Sequence, residues 1–411
     1  MSLHKKHYFR LILIIITTVF YFLANIQRVA IPGAVFSLLQ TDLSVCASKI
    51  TMLGAIFCYV YAFCQLIVGL MVDKIGGFRV IAIGCIMFSI GAILFPISDN
   101  LFFLYLSRAM VGFGASTFYL SAIREVKKYA KDSNFSLAVS YILFIGYSGG
   151  VVANAPFVAV VNQYGWKNTL FALGSFSIIL SIIFLIILFI FKPVHIEQES
   201  KFSLSPFKEI LSNKKNRYIF IFGATNYGLY YVLQSVIGKK FLEDFCNFNV
   251  NQSALILSIM AIISACAGTI TAYISKKIGS KTVIFKFAGM LSVCSVFAVT
   301  TLLFFDIHSK IVALIFLIPA FIGSISPLLV SILHLINRYE VSATAVSIQN
   351  FGFFMMVGIL GMISGMLMNL HQPENVGGVL VYSSNSYIPV YILFTILSII
   401  ELIFAFKIKE D

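Results

Sequence analysis

Long apolar segments dominate this chain and follow one another almost without pause from Leu11 to Phe406. Each is close to the roughly 20 residues that an α-helix needs to cross a bilayer. Hydrophobic residues make up 60% of the 411 residues and charged residues only 11%, a composition that excludes an ordinary soluble domain. The sequence therefore predicts an all-α polytopic membrane protein.

Hydropathy predicts about twelve transmembrane spans in two similar halves. They fall near residues 11–36, 48–72, 79–97, 101–123, 135–161 and 168–191, and then near 217–238, 252–275, 281–304, 310–336, 342–368 and 386–406. The first is too long for a cleavable signal peptide, so we expect it to remain as a helix. The predicted organisation is a six-helix bundle over 1–191, a polar cytoplasmic linker over 192–216 and a second six-helix bundle over 217–411.

Basic side chains are concentrated in alternate loops, which identifies those loops as cytoplasmic. The predicted inner loops hold Lys5, Lys6, Arg10, Lys74, Arg79, Arg124, Lys127, Lys128, Lys131, the linker lysines, Lys276, Lys277 and Lys281. Both termini are therefore expected in the cytoplasm. Topology and lipid contact account for the net charge of +13, without a nucleic-acid partner. The richness in Lys, Ile and Phe favours the inner membrane of an AT-rich bacterium, and we expect a monomer.

A tight charged turn joins the second and third predicted spans. Its residues Gly69, Asp73, Lys74, Gly76 and Arg79 match a loop pattern of the major facilitator superfamily: Gly, three residues, Asp, a basic residue, one residue, Gly, then further basic residues. The chain resembles that superfamily here. The resemblance implies a fold of twelve transmembrane helices in two bundles and transport by alternating access.

Two further stretches resemble the same superfamily, in the expected order. Residues 106–115 place Arg108 ahead of small residues in the fourth span, and residues 164–167 read Tyr-Gly-Trp-Lys between the fifth and sixth. The second half adds hydropathy and a weaker echo of the charged turn at residues 278–280, where Lys276 stands in the place of Asp73.

The resemblance also favours a conformational latch at the cytoplasmic helix ends. Its candidate residues are Gly69, Asp73, Gly76, Arg79, Arg124 and Glu125. Asp73 can pair with Arg79, with Arg124 or with a helix N-terminus, where the dipole favours an anion. The alternative is that these charges only keep the loop on the inner side.

Two arginines lie within predicted spans. Arg28 and Arg108 are both about 10–12 Å below the outer surface at about 1.5 Å per residue, and an ionisable group at such a depth is a functional hypothesis by default. Two guanidiniums facing one cavity suit bidentate recognition of a carboxylate or phosphate. The arrangement is similar to that of organic-anion symporters of the superfamily. The alternatives are that Arg28 reaches the outer headgroups and that Arg108 braces helices.

Polar and aromatic residues on the first, fourth and seventh spans complete the predicted substrate site. The candidates are Asn25, Tyr119, Asn226, Tyr230 and Gln234. Asn226, Tyr230 and Gln234 follow at four-residue spacing and so share a helix face, which favours exposure to a watered cavity. Helix packing is the alternative role for each aromatic.

The coupling ion stays open at this stage. No acidic residue lies near the middle of a predicted span, and Glu401 is near the inner end of the last. Organic-anion symporters usually carry an acid beside the first-helix Arg, whereas this chain has Gln27 there. Proton coupling, facilitated diffusion and anion exchange therefore remain alternatives.

The sequence contains no pattern that indicates an enzyme active site or a cofactor site. The seven cysteines form no metal or redox pattern, although Cys46 and Cys246 fall in corresponding outer loops and a disulfide between them is chemically possible. There is no phosphate-binding loop for ATP and no metal-ligand pair. We expect no enzyme activity and no cofactor.

These observations favour a secondary transporter for a small carboxylate-bearing solute such as an amino acid or organic acid. One alternative is an exporter of drugs or of a siderophore-like metabolite. It is disfavoured by the fifth span, where Ala155-Pro156-Phe157 replaces the Gly-Pro pair and glycines common in antiporters of that kind. The other is a membrane sensor that keeps the fold and moves no solute.

Overall fold

The computed structural model describes residues 3–127, 132–192, 205–323 and 325–409, and these are helical almost throughout. The helices are α1 (Leu3–Ala30), α2 (Phe36–Leu43), α3 (Ala47–Ile75), α4 (Gly77–Ile97), α5 (Leu101–Lys127), α6 (Asp132–Val152), α7 (Ala155–Tyr164), α8 (Trp166–Phe191), α9 (Ser205–Ser212), α10 (Lys214–Val232), α11 (Gly238–Asp244), α12 (Val250–Ile278), α13 (Lys281–Phe304), α14 (Val312–Ile322), α15 (Ser326–Ile336), α16 (Tyr339–Met368) and α17 (Ser384–Lys407). A 3₁₀ turn (Gly33–Val35) precedes α2, and a π-helical turn (Leu233–Ile237) joins α10 to α11. The two short strands are β1 (Glu374–Val376) and β2 (Val379–Val381).

Among the described residues, 10 helices are long and apolar enough to cross a membrane, or 11 if one bent pair counts as a single span. That pair is α6 and α7, where Ala138–Val152 and Ala155–Tyr164 meet at 47°. Pro156 stands in the first turn of α7, where its missing N–H is tolerated but a continuous helix is not. The predicted span 217–238 lies in α10 and the π turn after it. The predicted all-α polytopic architecture is confirmed.

The chain forms two compact units. The first comprises Met1–Val29 and Ile56–Phe202, and the second comprises Ala30–Ala55 and Ser203–Asp411. The prediction placed residues 30–55 in the first bundle, whereas the structure groups them with the second unit. Hydrogen bonds from α2 and the start of α3 to later residues of the chain account for this grouping.

In the first unit, α4 packs closely on α5 and α8 through small side chains. A Cβ on Gly114 would lie 2.5 Å from the carbonyl oxygen of Gly84, so α4 and α5 approach almost backbone to backbone. Ser89 and Ser181 join α4 to α8 by a 2.8 Å hydrogen bond. In lipid such close approach and polar bridging replace the hydrophobic drive that packs soluble helices.

In the second unit, α10 packs on α16 and α17, and α17 on α13. Strands β1 and β2 pair antiparallel, from Glu374 opposite Val381 to Val376 opposite Val379. The turn between them is Gly377-Gly378, both with positive φ (59° and 86°), as a two-residue hairpin of this twist requires. We call the end of the second unit that carries this turn the hairpin end.

Candidate functional site

Arg108 is completely buried within the first unit. Its guanidinium carbon lies 4.9 Å from the centroid of the Phe57 ring on α3, a cation–π contact. Gly112, one turn later on α5, permits this approach, because a Cβ there would lie 2.7 Å from the carbonyl oxygen of Phe57. The charge therefore points into the helix bundle and away from lipid.

Arg28 lies on α1 and is half-buried. It and Arg108 both interact electrostatically with the thiol of Cys58, the residue after Phe57 on α3. Two like charges that face one short stretch of α3 raise the local positive potential. That potential favours an anion near them.

Four tyrosines extend this cationic region. Tyr21 and Tyr119 stack with centroids 5.5 Å apart and an interplanar angle of 22°. Both interact electrostatically with Tyr61 and Tyr147, and Tyr21 also interacts with Arg28. Helices α1, α3, α5 and α6 thus each supply one tyrosine to a group that reaches Arg28 through Tyr21.

Asn25, another predicted substrate ligand, supports its own helix. Its side chain is buried, and its Nδ2 donates to the carbonyl oxygen of Tyr21 at 2.8 Å. Gly149 of α6 packs at the same place, where a Cβ would lie 3.2 Å from the Asn25 Cβ. Asn25 therefore lies where α1 packs against α6, a position that spacing along the sequence does not reveal.

The second unit places Asn226 in contact with a carboxylate. Its Nδ2 donates to Glu401 Oε1 at 2.9 Å, and Ser292 Oγ donates to Glu401 Oε2 at 2.8 Å. Glu401 has 0% exposure. The predicted exposure of Asn226 to a watered cavity is therefore replaced by a buried contact among α10, α13 and α17.

Tyr230 is buried, with its ring edge-on to Tyr231 at 4.8 Å and 72°. Gly323, at the end of α14, lies directly against it, since a Cβ there would be 2.6 Å from the Tyr230 Cβ. One turn earlier, Tyr227 stacks on Phe353 of α16, with centroids 4.5 Å apart. These rings pack α10 against α14 and α16, the alternative that the sequence left open.

Gln234 lies in the π turn and is buried, and its Oε1 accepts no hydrogen bond from the described residues. The π turn requires Gly238, because a Cβ there would lie 1.8 Å from the carbonyl oxygen of Leu233. Gln349 on α16 is also buried, and neither atom of its amide has a hydrogen-bond partner in the described chain. Because an unsatisfied buried amide costs free energy, Gln234 stays a candidate for a polar contact.

At the turn between α3 and α4, the described acidic side chain that forms a hydrogen bond is Glu125. Its Oε1 accepts from the backbone N–H of Gly77 at 2.9 Å, at the N-terminus of α4, where the helix dipole favours a carboxylate. Gly76 has a φ of 91°, a backbone conformation suited to glycine. The side chain of Asp73 lies outside the described residues.

The other predicted latch residues lie in the helices that flank this turn. Arg79 is exposed and donates from Nη1 to the carbonyl oxygen of Ile75 at 3.5 Å, and Arg124 is also exposed. A Cβ on Gly69 would meet no described atom within 4 Å.

A group of buried charges and hydroxyls at the hairpin end was not predicted. We call it the hairpin-end cluster; its members are Gln40, Lys239, Lys240, Glu243, Asp244, Tyr382 and Tyr387. Lys240 Nζ lies 2.7 Å from Asp244 Oδ1, with side-chain exposures of 1% and 2%. Asp244 Oδ2 accepts from Tyr387 Oη at 2.8 Å and from the backbone N–H of Tyr382 at 3.1 Å. Lys240 also donates to the carbonyl oxygen of Leu380.

The same cluster holds residues 30–55 in the second unit. Tyr382 Oη accepts from Gln40 Nε2 at 2.8 Å and from the backbone N–H of Ala47 at 3.2 Å. Glu243 bonds to Lys239 at 2.6 Å and to Ser37 at 3.3 Å. The sequence signal that could have revealed this cluster is the i,i+4 spacing of two Lys–acid pairs from residue 239 to 244.

The disulfide considered from the sequence does not form. Cys46 and Cys246 are both free, the first exposed and the second buried. Cys46 Sγ lies 3.3 Å from Ser48 Oγ, and Cys246 is enclosed after the end of α11.

Comparison with known proteins identifies the family. The family model of the Major Facilitator Superfamily matches residues 13–362. The chain belongs to this superfamily. It is a multi-pass membrane transporter, not an enzyme, and the prediction made from the three motifs is confirmed.

Several sequence relatives are named as transporters of anions. A probable sulfoacetate transporter, SauU, of Cupriavidus necator is 23% identical over 158 residues, which are 38% of this chain and 36% of the relative. A probable chloroplastic anion transporter 4 of Oryza sativa is 24% identical over 157 residues, 38% of this chain and 26% of the relative. The chain thus matches about a third or less of these relatives' length.

Solved structures share the fold over nearly the whole chain. A bacterial homologue of the human lysosomal transporter Spinster, inward-facing and unoccupied, superposes with a TM-score of 0.77, 16% identity and 97% coverage of both chains. The nucleoside transporter NupG gives a TM-score of 0.72 with 16% identity, over 96% of this chain and 98% of its own. At this identity the likeness establishes the fold alone.

Proposed function

We propose that this member of the superfamily is a secondary transporter that carries a small carboxylate-bearing anion or zwitterion, an organic acid or amino acid, by alternating access. The observation that carries the proposal is the pair Arg28 and Arg108. Both interact with Cys58, and Tyr21 interacts with Arg28. A guanidinium offers a planar fork of donors that matches a carboxylate, and two of them supply both charge and orientation.

The relatives support an anionic substrate. The named substrates among them are sulfoacetate, ascorbate (an Arabidopsis thaliana relative, 24% identical over 157 residues) and phosphate (another from the same plant, 25% identical over 157 residues). All three are oxyanions or form them near neutral pH. Shared oxyanion chemistry, not any one of these names, is what we transfer to this chain.

Membrane placement belongs to the same proposal. We propose a monomer in the bacterial inner membrane. The basic residues in alternate loops support an orientation with both termini in the cytoplasm. In that orientation the Glu125–Gly77 contact lies at the cytoplasmic ends of α4 and α5. There it would act with Asp73, Arg79 and Arg124 as the latch.

A ligand screen by thermal unfolding tests the proposal. Purified protein is heated with sulfoacetate, ascorbate, phosphate, glutamate, succinate or a lipophilic cation, and a thiol-reactive dye reports unfolding. A solute that binds only the folded state raises the melting temperature. We expect stabilisation by carboxylates or sulfonates, and binding weakened about tenfold to a hundredfold by Arg28→Gln or by Arg108→Gln, because each removes a charge-assisted hydrogen bond.

Lys167→Gln is the matched control, since it removes an exposed cation paired with Asp99 and distant in sequence from the arginines. It should leave the affinity unchanged. Stabilisation by lipophilic cations that is insensitive to both arginine variants would overturn the proposal and favour a drug exporter. Arg108→Lys separates charge from geometry, because it keeps the charge and loses the planar fork.

A further inference from the structure

The second unit holds a buried carboxylate that the proposed substrate site does not use. Glu401 lies on α17, about 9 Å before that helix ends at Lys407, at about 1.5 Å per residue. Its side chain has 0% exposure. An ionisable group buried in a membrane-spanning helix is expensive to keep and points to a functional role.

Each oxygen of this carboxylate has one neutral donor. Asn226 Nδ2 on α10 donates to Oε1 at 2.9 Å, and Ser292 Oγ on α13 lies 2.8 Å from Oε2. The carboxyl group therefore joins three helices. These two side chains form what we call the Glu401 cage.

Charged groups on the packed helices are directed elsewhere. Lys286 of α13 lies 5.5 Å from the Phe406 ring centroid, and Lys407 of α17 lies 5.8 Å from that of Tyr218 on α10. The other titratable groups of α10 are Lys214, Lys215 and Arg217 in its first turn and Tyr227, Tyr230 and Tyr231 further along. Those of α13 are Lys281 and Cys294, and those of α17 are Tyr387 and Tyr391, while the side chains of Tyr339 and Glu340 on α16 lie outside the described part. Among the described residues, none of these groups forms an ion pair with Glu401.

A buried carboxylate normally has a cationic partner or a metal. The described residues contain no group of three or more metal-ligating side chains. The cage can instead accommodate a proton. When a proton binds Oε2, the new O–H donates to Ser292 Oγ, and the Ser292 hydroxyl turns to a carbonyl one turn earlier on α13, an ordinary partner for a helical serine.

We propose that Glu401 is a proton-binding site and that its protonation couples solute movement to the proton gradient. The bond from Asn226 to an ionised carboxylate is charge-assisted and roughly twice as strong as the bond to a neutral acid. Protonation therefore loosens α10 from α17. Since α10 leads into the π turn that carries Gln234, protonation of Glu401 acts on the helix next to this predicted substrate residue.

Proton binding is tested without any solute, by infrared spectroscopy of the purified protein between about pH 5 and about pH 9. We expect the carbonyl stretch of a buried carboxylic acid that fades as the pH rises and is missing from Glu401→Gln, an isostere that keeps both cage contacts. Asp244→Asn is the control, because it removes a second buried carboxyl group and should leave the Glu401 band in place. A spectrum that is the same in wild type and Glu401→Gln at every pH overturns the proposal.

Ser292→Ala provides an independent check, should Glu401→Gln fold poorly. It keeps the carboxyl and removes its partner at Oε2, so the band should move to higher frequency. A role in helix packing alone would leave that band unchanged.

The coupling step, which rests on the proposed function, has its own measurement. In proteoliposomes an imposed proton gradient should drive accumulation of labelled sulfoacetate or succinate by wild type, whereas Glu401→Gln should exchange the same solute without accumulating it. Accumulation by Glu401→Gln at the wild-type level overturns the coupling. If wild type moves neither solute, the proposed function has failed, and the infrared result still decides proton binding.

Discussion

Replacing Lys240 by methionine should be among the most destabilising substitutions in this protein. The change keeps the volume of the side chain and removes its charge. Asp244 would be left 2% exposed with two neutral donors, Tyr387 Oη and the Tyr382 N–H, and the carbonyl oxygen of Leu380 would lose its donor. Breaking a buried ion pair on one side costs about 3–5 kcal/mol.

Thermal or denaturant unfolding in detergent measures the cost, with a thiol-reactive dye that labels buried cysteines such as Cys246 as they become exposed. Lys167→Met is the exposed control. Its pair with Asp99 has exposures of 44% and 69%, so it should cost about 0–1 kcal/mol. The double variant Lys240→Met, Asp244→Leu should recover much of the loss, since no unpaired charge remains.

A cost of Lys240→Met no greater than that of Lys167→Met would contradict this prediction. So would a double variant as unstable as the sum of its two single changes. Either result would mean that the ion pair is solvated or is not formed.

Three further predictions concern single contacts. Burial raises the pKa of Asp244 from 3.8 to about 6 despite the nearby Lys240, so the contribution of Asp244 to stability is greatest below pH 3.8 and is lost as the pH rises through about 6. Relative to Asp244→Asn, wild type should lose about 1 kcal/mol of unfolding free energy between about pH 5 and about pH 7. An equal response of the two proteins would contradict this. Glu125→Ala removes the acceptor for the first N–H of α4 and should cost about 0.5–2 kcal/mol in the same unfolding assay, whereas a neutral result would show that water replaces it. Gly238→Ala should cost about 1–3 kcal/mol because its Cβ meets the Leu233 carbonyl, and normal stability would show that the π turn is dispensable.

The sequence predicts the membrane architecture well because hydropathy is a local property. Every predicted span contains helix, and the turn from Gly69 to Arg79, with Arg108 and the stretch 164–167, was enough to identify the superfamily. Counting residues along two helices also predicts a matched depth for Arg28 and Arg108, whereas their shared interaction with Cys58 is visible only in the structure.

Contacts between distant segments were beyond such counting. The otherwise apolar helix around Asn226 predicts that this side chain faces a cavity. Its actual hydrogen-bond partner is Glu401, which is 175 residues away and cannot be identified from the pattern of one helix. The bonds from Gln40 and Ala47 to Tyr382 span more than 330 residues and place segment 30–55 in the second unit. The π turn likewise depends on close packing around Gly238, which helix periodicity does not encode.

Counterflow in proteoliposomes is the decisive measurement for anion transport that depends on Arg28 and Arg108. Vesicles are loaded with an unlabelled carboxylate or sulfonate, and uptake of the same labelled anion is followed in wild type, Arg28→Gln, Arg108→Gln and Lys167→Gln. The account predicts exchange by wild type and Lys167→Gln and its loss in both arginine variants. Exchange that persists in both arginine variants, or that occurs only with lipophilic cations, would contradict it.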